Sequence, residues 1–383
     1  MPNKGNEDHF KGREFFLILD SMNNKIAVAV SGGIDSLVAA FLIKRQGFDV
    51  FGLHFVTGFE DNPSIEEAQG HYTVFPGDAR QETAGIRSIS DQLGIPVHVI
   101  DIRKEFRVWV SDYFYRAYLS GLTPNPCIAC NAKIKFGLMI EKASFFGAGH
   151  LATGHYARAE MSGYGLPMLF SSTDTAKDQS YFLSLVRKEA FAKAIFPLSG
   201  LTKNEVRQIA SDNVLVPPFL KESQDICFIK SSYGDFMETH PGFSARPGEI
   251  VSPDGKKIGT HNGLHLFTIG QRRGINCPAK EPYYVLDLDI ENNRLVVGFK
   301  KELYKKKMLV DSMNWFRELK TTDQRLSVKI RYAHKAAEAD VRIIDKDSCE
   351  VVFDEPQLSI TPGQAAVLYD RDEVIGGGFI RRS

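Results

Sequence analysis

The sequence predicts an α/β protein: a helix-covered parallel sheet, then a small mixed domain, then an all-β barrel. Three observations predict it. Apolar, β-branched runs alternate with helix-spaced segments in the first half of the chain. A glycine-bearing turn joins the first such strand to the first such helix. After about residue 220 the texture changes to short strand-like runs separated by Gly, Pro, Asn and Asp turns.

"NKIAVAV" (24–30) reads as a buried strand, and "SLVAAFLIKRQG" (36–47) as a helix stopped by glycine. "DVFGLHFV" (49–56) is a second strand, "ARQETAGIRSISDQLG" (79–94) a helix and "PVHVIDI" (96–102) a third strand. Such alternation argues for a parallel sheet with both faces covered. "FRVWVSDYFYRAYLSG" (106–121) and "KIKFGLMIEKASFFGAG" (133–149) read as further helices, and "HLATGHY" (150–156) as a strand. Beyond "GEIVSPDGKKIGTHNGLHLFTIGQ" come "RLSVKIRYA", "ADVRIID", "CEVVFD", "AAVLYD" and "VIGGGFI", short strands at barrel-like spacing. The expected division is an extension at 1–23, an α/β catalytic domain at 24–222, a central domain at 223–299 and a barrel at 300–383.

Among 383 residues, 47 basic side chains balance 47 acidic ones, which argues against a generic basic nucleic-acid binder. Local basic runs remain, "KKELYKKK" (300–307) and "GQRRG" (270–274), each of which also reads as solvated surface. No apolar run approaches the roughly 20 residues that span a bilayer, so no membrane partner is expected. The first residues lack a secretory h-region. Five cysteines without other features of a small secreted domain point to a reducing, cytoplasmic setting, where thiols bind metals or do chemistry.

"AVSGGIDS", residues Ala29, Val30, Ser31, Gly32, Gly33, Ile34, Asp35 and Ser36, carries the first chemistry. Glycines let backbone N–H groups approach an anion at a helix N-terminus, and Ser31 and Ser36 add hydroxyls. It lacks the Walker lysine and the dinucleotide G-x-G-x-x-G spacing. Asp35 reads as a magnesium partner for ATP or as an organiser of the loop. The S-G-G-x-D-S pattern resembles the pyrophosphate loop of ATP-pyrophosphatases (adenine nucleotide alpha hydrolase-like proteins), which split ATP between its α and β phosphates and adenylate a substrate.

"TPNPCIACNAKIKFG", "LATGHYAR", "KDQSYFLS", "DICFI", "FTIGQRRG", "IRYAHK" and "TPGQAAVLYD" follow in order. This ordered set resembles the tRNA-specific 2-thiouridylases from about residue 25 onward. The resemblance implies ATP-dependent replacement of the wobble-uridine C2 oxygen of tRNA by sulfur, with a sulfur-donor protein or sulfide as a further partner. By motif position, Cys227 matches a persulfide carrier and Cys130 the second, resolving cysteine. The loop 29–36 and Gly154 match ATP contacts, and Phe55 stands where the family usually has a methionine beside the adenosine. Asn125 and Pro126 match residues that meet the target base. Lys177, Asp178 and Gln179 match a tRNA-contacting segment, as do Arg331 and Tyr332, while His155 and Gln364 match positions that support tRNA engagement. Each has a plain structural reading too: a hydrogen-bonded histidine, a solvated turn, a core tyrosine.

Cys127 stands where the family usually has aspartate, three residues before Cys130. Three readings compete. Cys127 merely replaces the aspartate and the persulfide route persists. Or Cys127, Cys130 and Cys227 hold a [4Fe–4S] cluster with one iron open to hydrosulfide. Or the trio and a histidine bind zinc, a reading weakened by the lack of a second C-x-x-C. A third thiol within reach of both others favours the cluster. Cys277 and Cys349 match no motif. Two rival functions use the same features, a tRNA-binding module with an altered site and an ATP-pyrophosphatase acting on a small amide-type substrate.

Overall fold

The computed structural model describes residues 24–59, 73–74, 83–218, 226–317 and 322–382. The extension 1–23 and residues 79–82 of the expected second helix lie outside them.

The first sheet is built from β1 (Lys25–Ala29), β2 (Asp49–Val56), β3 (Thr73–Val74), β4 (Val97–Asp101), β5 (His150–Ala152) and, after β6 (Arg158–Met161) and β7 (Pro167–Phe170), β8 (Ala194–Ile195). Its order is β3-β4-β2-β1-β5-β8. All pairs are parallel except β3 with β4. The β1 register alternates its side chains between two cores. Ile26 and Val28 face a cluster with Leu37, Val38 and Ile43 of helix α1 (Ile34–Arg45), Ile89 of α2 (Thr83–Leu93) and Val206 of the helix Lys203–Asp212. Ala27 and Ala29 face the opposite cluster with Phe106, Phe114, Ile134 and Met139. Both faces are covered, which is why these strands are near-continuous apolar runs.

The chain leaves β1 toward β2 on one side and reaches β5 on the other. The sheet therefore switches direction between β1 and β5, and crevices at the carboxyl ends of such strands are where ligands sit.

The central region forms a four-stranded sheet, β10-β9-β12-β11, from β9 (Gly248–Val251), β10 (Lys257–His261), β11 (Tyr284–Asp289) and β12 (Arg294–Gly298). Then β13 (Tyr304–Trp315), β14 (Asp323–Lys329), β15 (Ala337–Asp345), β16 (Ser348–Leu358), β17 (Ala365–Asp370) and β18 (Glu373–Ile380) run antiparallel. β13 also pairs with β18, closing a six-stranded barrel around Val328, Val341, Val351, Phe353 and Leu368. Closure removes the free edges that short strands otherwise expose.

The hairpin β6–β7 leaves the α/β region and joins the barrel sheet, with Leu169 and Phe170 opposite Val374 and Glu373 of β18. Beneath it, Ile128, Phe136, Tyr181 and Leu183 share one apolar cluster with Ala365, Val367 and Val374 of the barrel. The barrel is thus packed onto the segment that carries the C-x-x-C.

Candidate active site

The loop between β1 and α1 has the conformation that its glycines permit. Gly32 has φ +83°, a region that L side chains rarely adopt. Gly33 is the N-cap and offers no side chain to the helix. The first-turn amides of α1 lack intrahelical acceptors, so they are open to an anion. Ser36, 5% exposed, holds the turn. Its hydroxyl donates to the Gly33 carbonyl at 2.9 Å and accepts from the Ser31 amide at 3.2 Å.

The loop after β5 buttresses this turn. A Cβ built on Gly154 would stand 2.8 Å from the Asp35 carbonyl carbon and from the Ser36 nitrogen. Only glycine lets the two backbones approach so closely. Gly154→Ala is therefore expected to cost about 1–3 kcal/mol and to weaken nucleotide binding about tenfold, read by denaturant melts and a nucleotide titration.

Asp35 is tied on two sides. The Lys203 ammonium lies 2.8 Å from both carboxylate oxygens, and the Tyr156 hydroxyl donates at 2.9 Å. Gln179 in turn brackets Tyr156, donating its amide to the Tyr156 carbonyl and accepting from the Tyr156 amide at 2.9 Å. The geometry is that of a loop organiser. Neither Lys203 nor Tyr156 was singled out by sequence. Tyr156 lay inside a quoted motif, but nothing local to Lys203 announces a partner 168 residues away.

The two cysteines of the C-x-x-C sit at the start of one continuous helical run. Pro126–Cys130 is α-helical, Asn131–Leu138 widens to π geometry, and Met139–Phe145 is α-helical again. Asn125 is the N-cap, its Oδ1 accepting from the Ile128 amide, with Pro126 at the first helical position. The barrel latches the segment just before it. Thr123 donates its amide to the Pro362 carbonyl at 2.9 Å, and the Gln364 side chain donates to the Thr123 carbonyl at 3.0 Å.

Cys127 and Cys130 are half-buried and Cys227 is exposed. Burial pushes the Cys127 thiol up and the Cys130 thiol up to about 12, opposed in both cases by the Lys135 ammonium; Cys227 and Cys127 each raise Cys130 further. Both helical thiols are therefore protonated at neutral pH. Lys135 also reaches His155, with Nζ 3.4 Å from Nε2, while Nδ1 lies 2.9 Å from the Thr153 hydroxyl. An ammonium only donates, so Nε2 accepts and the proton sits on Nδ1. Burial first, then Lys135, holds His155 well below its usual pKa, and it is neutral. Lys135 thus acts on Cys127, Cys130 and His155, though its motif was read for cysteines.

Cys227 is placed by its neighbour. Phe228 is buried among Phe59, Phe106, Phe114 and Phe236, with ring centroids 5.1–5.9 Å away. Truncating such a ring costs about 3–5 kcal/mol, enough to fix the adjoining backbone. Ala29 at the end of β1, Phe55 near the end of β2, Cys130, Ile226 and Phe228 all pack into the same cluster. The start of the phosphate-type loop at Ala29, the C-x-x-C and the Cys227 segment therefore meet in one apolar cluster on one face of the sheet. Among the described residues no three His, Cys, Asp or Glu side chains form a group able to hold a metal ion. The three thiols, though neighbours, do not make a ready ligand set in this conformation.

The remaining candidates divide. Asp178, 8% exposed, faces inward and accepts from the Ser172 and Ser180 amides and the Ser180 hydroxyl. Lys177 and Arg331 are half-exposed. Tyr332 packs on Phe182 at 4.3 Å, with the Lys329 ammonium 5.3 Å from its ring centre. These residues line the seam between the barrel and the α/β region.

Comparison with known proteins matches the chain along most of its length. The family model described as tRNA methyl transferase HUP domain matches residues 24–231. That of the tRNA methyl transferase PRC-barrel domain matches 234–299, and that of the aminomethyltransferase beta-barrel domain 305–380. The tRNA-specific 2-thiouridylase MnmA of Desulfosudis oleivorans is 44% identical over 95% of this chain and 96% of its own length. That of Geobacter metallireducens is 40% identical over 94% and 98%. The tRNA-specific 2-thiouridylase MnmA 2 of Thermoanaerobacter sp. is 38% identical over 94% and 99%.

Proposed function

This chain belongs to the tRNA-specific 2-thiouridylase family, and from that premise we infer that it is a tRNA sulfurtransferase that installs 2-thiouridine at the wobble position. The observation that carries the chemistry is that Ala29, where β1 enters the loop leading to α1, packs in the same apolar cluster as Cys130, Ile226 and Phe228.

An amide-like carbonyl oxygen leaves poorly. ATP, with its phosphates on the 31–36 loop, receives the uridine O2 at its α-phosphorus and loses pyrophosphate. The terminal sulfur of a persulfide on Cys227 then attacks C2, and AMP departs with the former C2 oxygen. Cys130 then loses its proton to solvent and its thiolate attacks the Cys227 sulfur, releasing the thiocarbonyl and leaving a Cys130–Cys227 disulfide that a dithiol reductant resets. The high pKa of Cys130 has a use here. A thiol that stays protonated until substrate arrives does not discharge the persulfide early.

Magnesium accompanies ATP as its counter-ion. Asp35 is committed to Lys203 and Tyr156 and keeps the loop in shape. Among the described residues the three thiols are not gathered into a group able to hold a metal ion, and no step here is routed through a cluster. Catalysis is assigned to 24–222, and tRNA engagement to the seam of Lys177, Arg331 and Tyr332 and to the barrel at 300–383, with the central region at 223–299 between them. Among the described residues no helix is long and apolar enough to cross a membrane; a cytoplasmic location suits a tRNA substrate.

The test is an assay with ATP, sulfide or a persulfide donor, and a tRNA transcript bearing the target uridine. Pyrophosphate and AMP are expected only when tRNA is present, in step with thiouridine found by mass spectrometry of the digested tRNA. AMP formation unaffected by tRNA supports a small-molecule amide substrate instead. Tight tRNA binding without ATP consumption supports a binding module.

A further inference from the structure

Cys127 has no task in the reaction just described, yet it sits one helical turn from Cys130 and within electrostatic reach of it. We propose that Cys127 is an internal resolving thiol. It takes over the Cys130–Cys227 disulfide and converts it into a local Cys127–Cys130 disulfide, freeing Cys227 for the next sulfur. The proposal rests on the sulfurtransferase reading above.

The geometry favours this direction of exchange. Residues three apart on a helix have Cα atoms about 5 Å apart, inside the range of about 4.4–6.8 Å that disulfides span. The helix thus keeps Cys127 at high effective concentration beside Cys130. Its partner in the first disulfide, Cys227, is exposed on a separate segment. An aspartate at 127 could carry a proton but could not exchange with a disulfide.

The step balances without an added oxidant. Cys127 loses its proton to solvent, and its thiolate attacks the Cys130 sulfur. The Cys127–Cys130 bond forms as the Cys130–Cys227 bond breaks, and Cys227 leaves as a thiolate that solvent protonates. Attack at the Cys130 sulfur expels the exposed thiolate rather than the buried one, and the better-solvated thiolate is the better leaving group. A dithiol reductant then donates two electrons to the Cys127–Cys130 disulfide and becomes oxidised itself.

The test uses full-length protein loaded with persulfide, mixed with ATP and tRNA transcript without reductant. The reaction is quenched in acid, alkylated and mapped by mass spectrometry. The expected result is thiouridine together with a Cys127–Cys130 disulfide and alkylated Cys227. In Cys127→Ser the cross-link should instead join Cys130 to Cys227, and multiple turnover with a dithiol reductant should fall about tenfold. Thiouridine accompanied in the unsubstituted protein by a Cys130–Cys227 disulfide and alkylated Cys127 overturns the relay and leaves the sulfurtransferase reading standing. No thiouridine, with all three thiols alkylated, overturns both.

Discussion

Cys227→Ala is expected to lower 2-thiouridine formation by about a thousandfold or more while leaving tRNA affinity within about twofold. The size follows from the proposed chemistry, in which the Cys227 thiol carries the transferred sulfur and alanine cannot. The selectivity follows from structure. Cys227 is exposed, whereas its neighbour Phe228 is buried among four phenylalanine rings and holds the backbone. Removing a surface thiol should change stability by no more than about 0.5 kcal/mol. Phe228→Ala makes the contrast. It should also lose activity, but with a stability loss of about 3–5 kcal/mol visible in a denaturant melt. Thiouridine surviving in Cys227→Ala, measured by nucleoside mass spectrometry, would rule out both the persulfide and the cluster routes.

Asp35→Ala is expected to have the largest combined effect on folding and nucleotide binding. The Lys203 side chain is only 8% exposed and its charge is answered by Asp35, itself 32% exposed. Removing one partner of such a pair strands the other, at a cost of about 3 kcal/mol, the lower end for buried pairs because Asp35 keeps some water. The Tyr156 hydroxyl loses its acceptor as well. With the turn no longer tied to the Lys203 helix, ATP affinity should fall at least about tenfold. Asp35→Ala combined with Lys203→Met removes the stranded charge. It should recover most of the stability in a denaturant melt but none of the ATP affinity in a nucleotide titration. Recovery of both would mean that Asp35 matters only for folding.

The sequence made some of this architecture plain and hid the rest for physical reasons. β1, β2 and β4 were legible because strands buried on both faces are mostly apolar, and glycines mark the ends of α1 and α2. The expected strand 150–156 shrinks to His150–Ala152, since Gly154 must leave the sheet to meet Asp35. The hairpin β6–β7 was not foreseen. Its four-residue strands are short, and the partner that gives them a sheet, β18, lies some two hundred residues on. The cysteines, the loop and Gly154 could be picked out because each belongs to a recognisable motif. Lys203 could not, because a buried ion pair between distant segments leaves no local pattern. Asp178 matched a tRNA-contacting segment, with a solvated turn as its plain reading, whereas three hydrogen bonds turn it inward.

The central claim is that ATP makes the uridine C2 oxygen a leaving group. It is tested most directly by thiolating a tRNA whose target uridine carries oxygen-18 at C2 and weighing the AMP released. If O2 attacks the α-phosphorus and leaves with it, each AMP carries the heavy oxygen, in equal amount to the thiouridine made. Unlabelled AMP beside newly formed thiouridine would contradict the account.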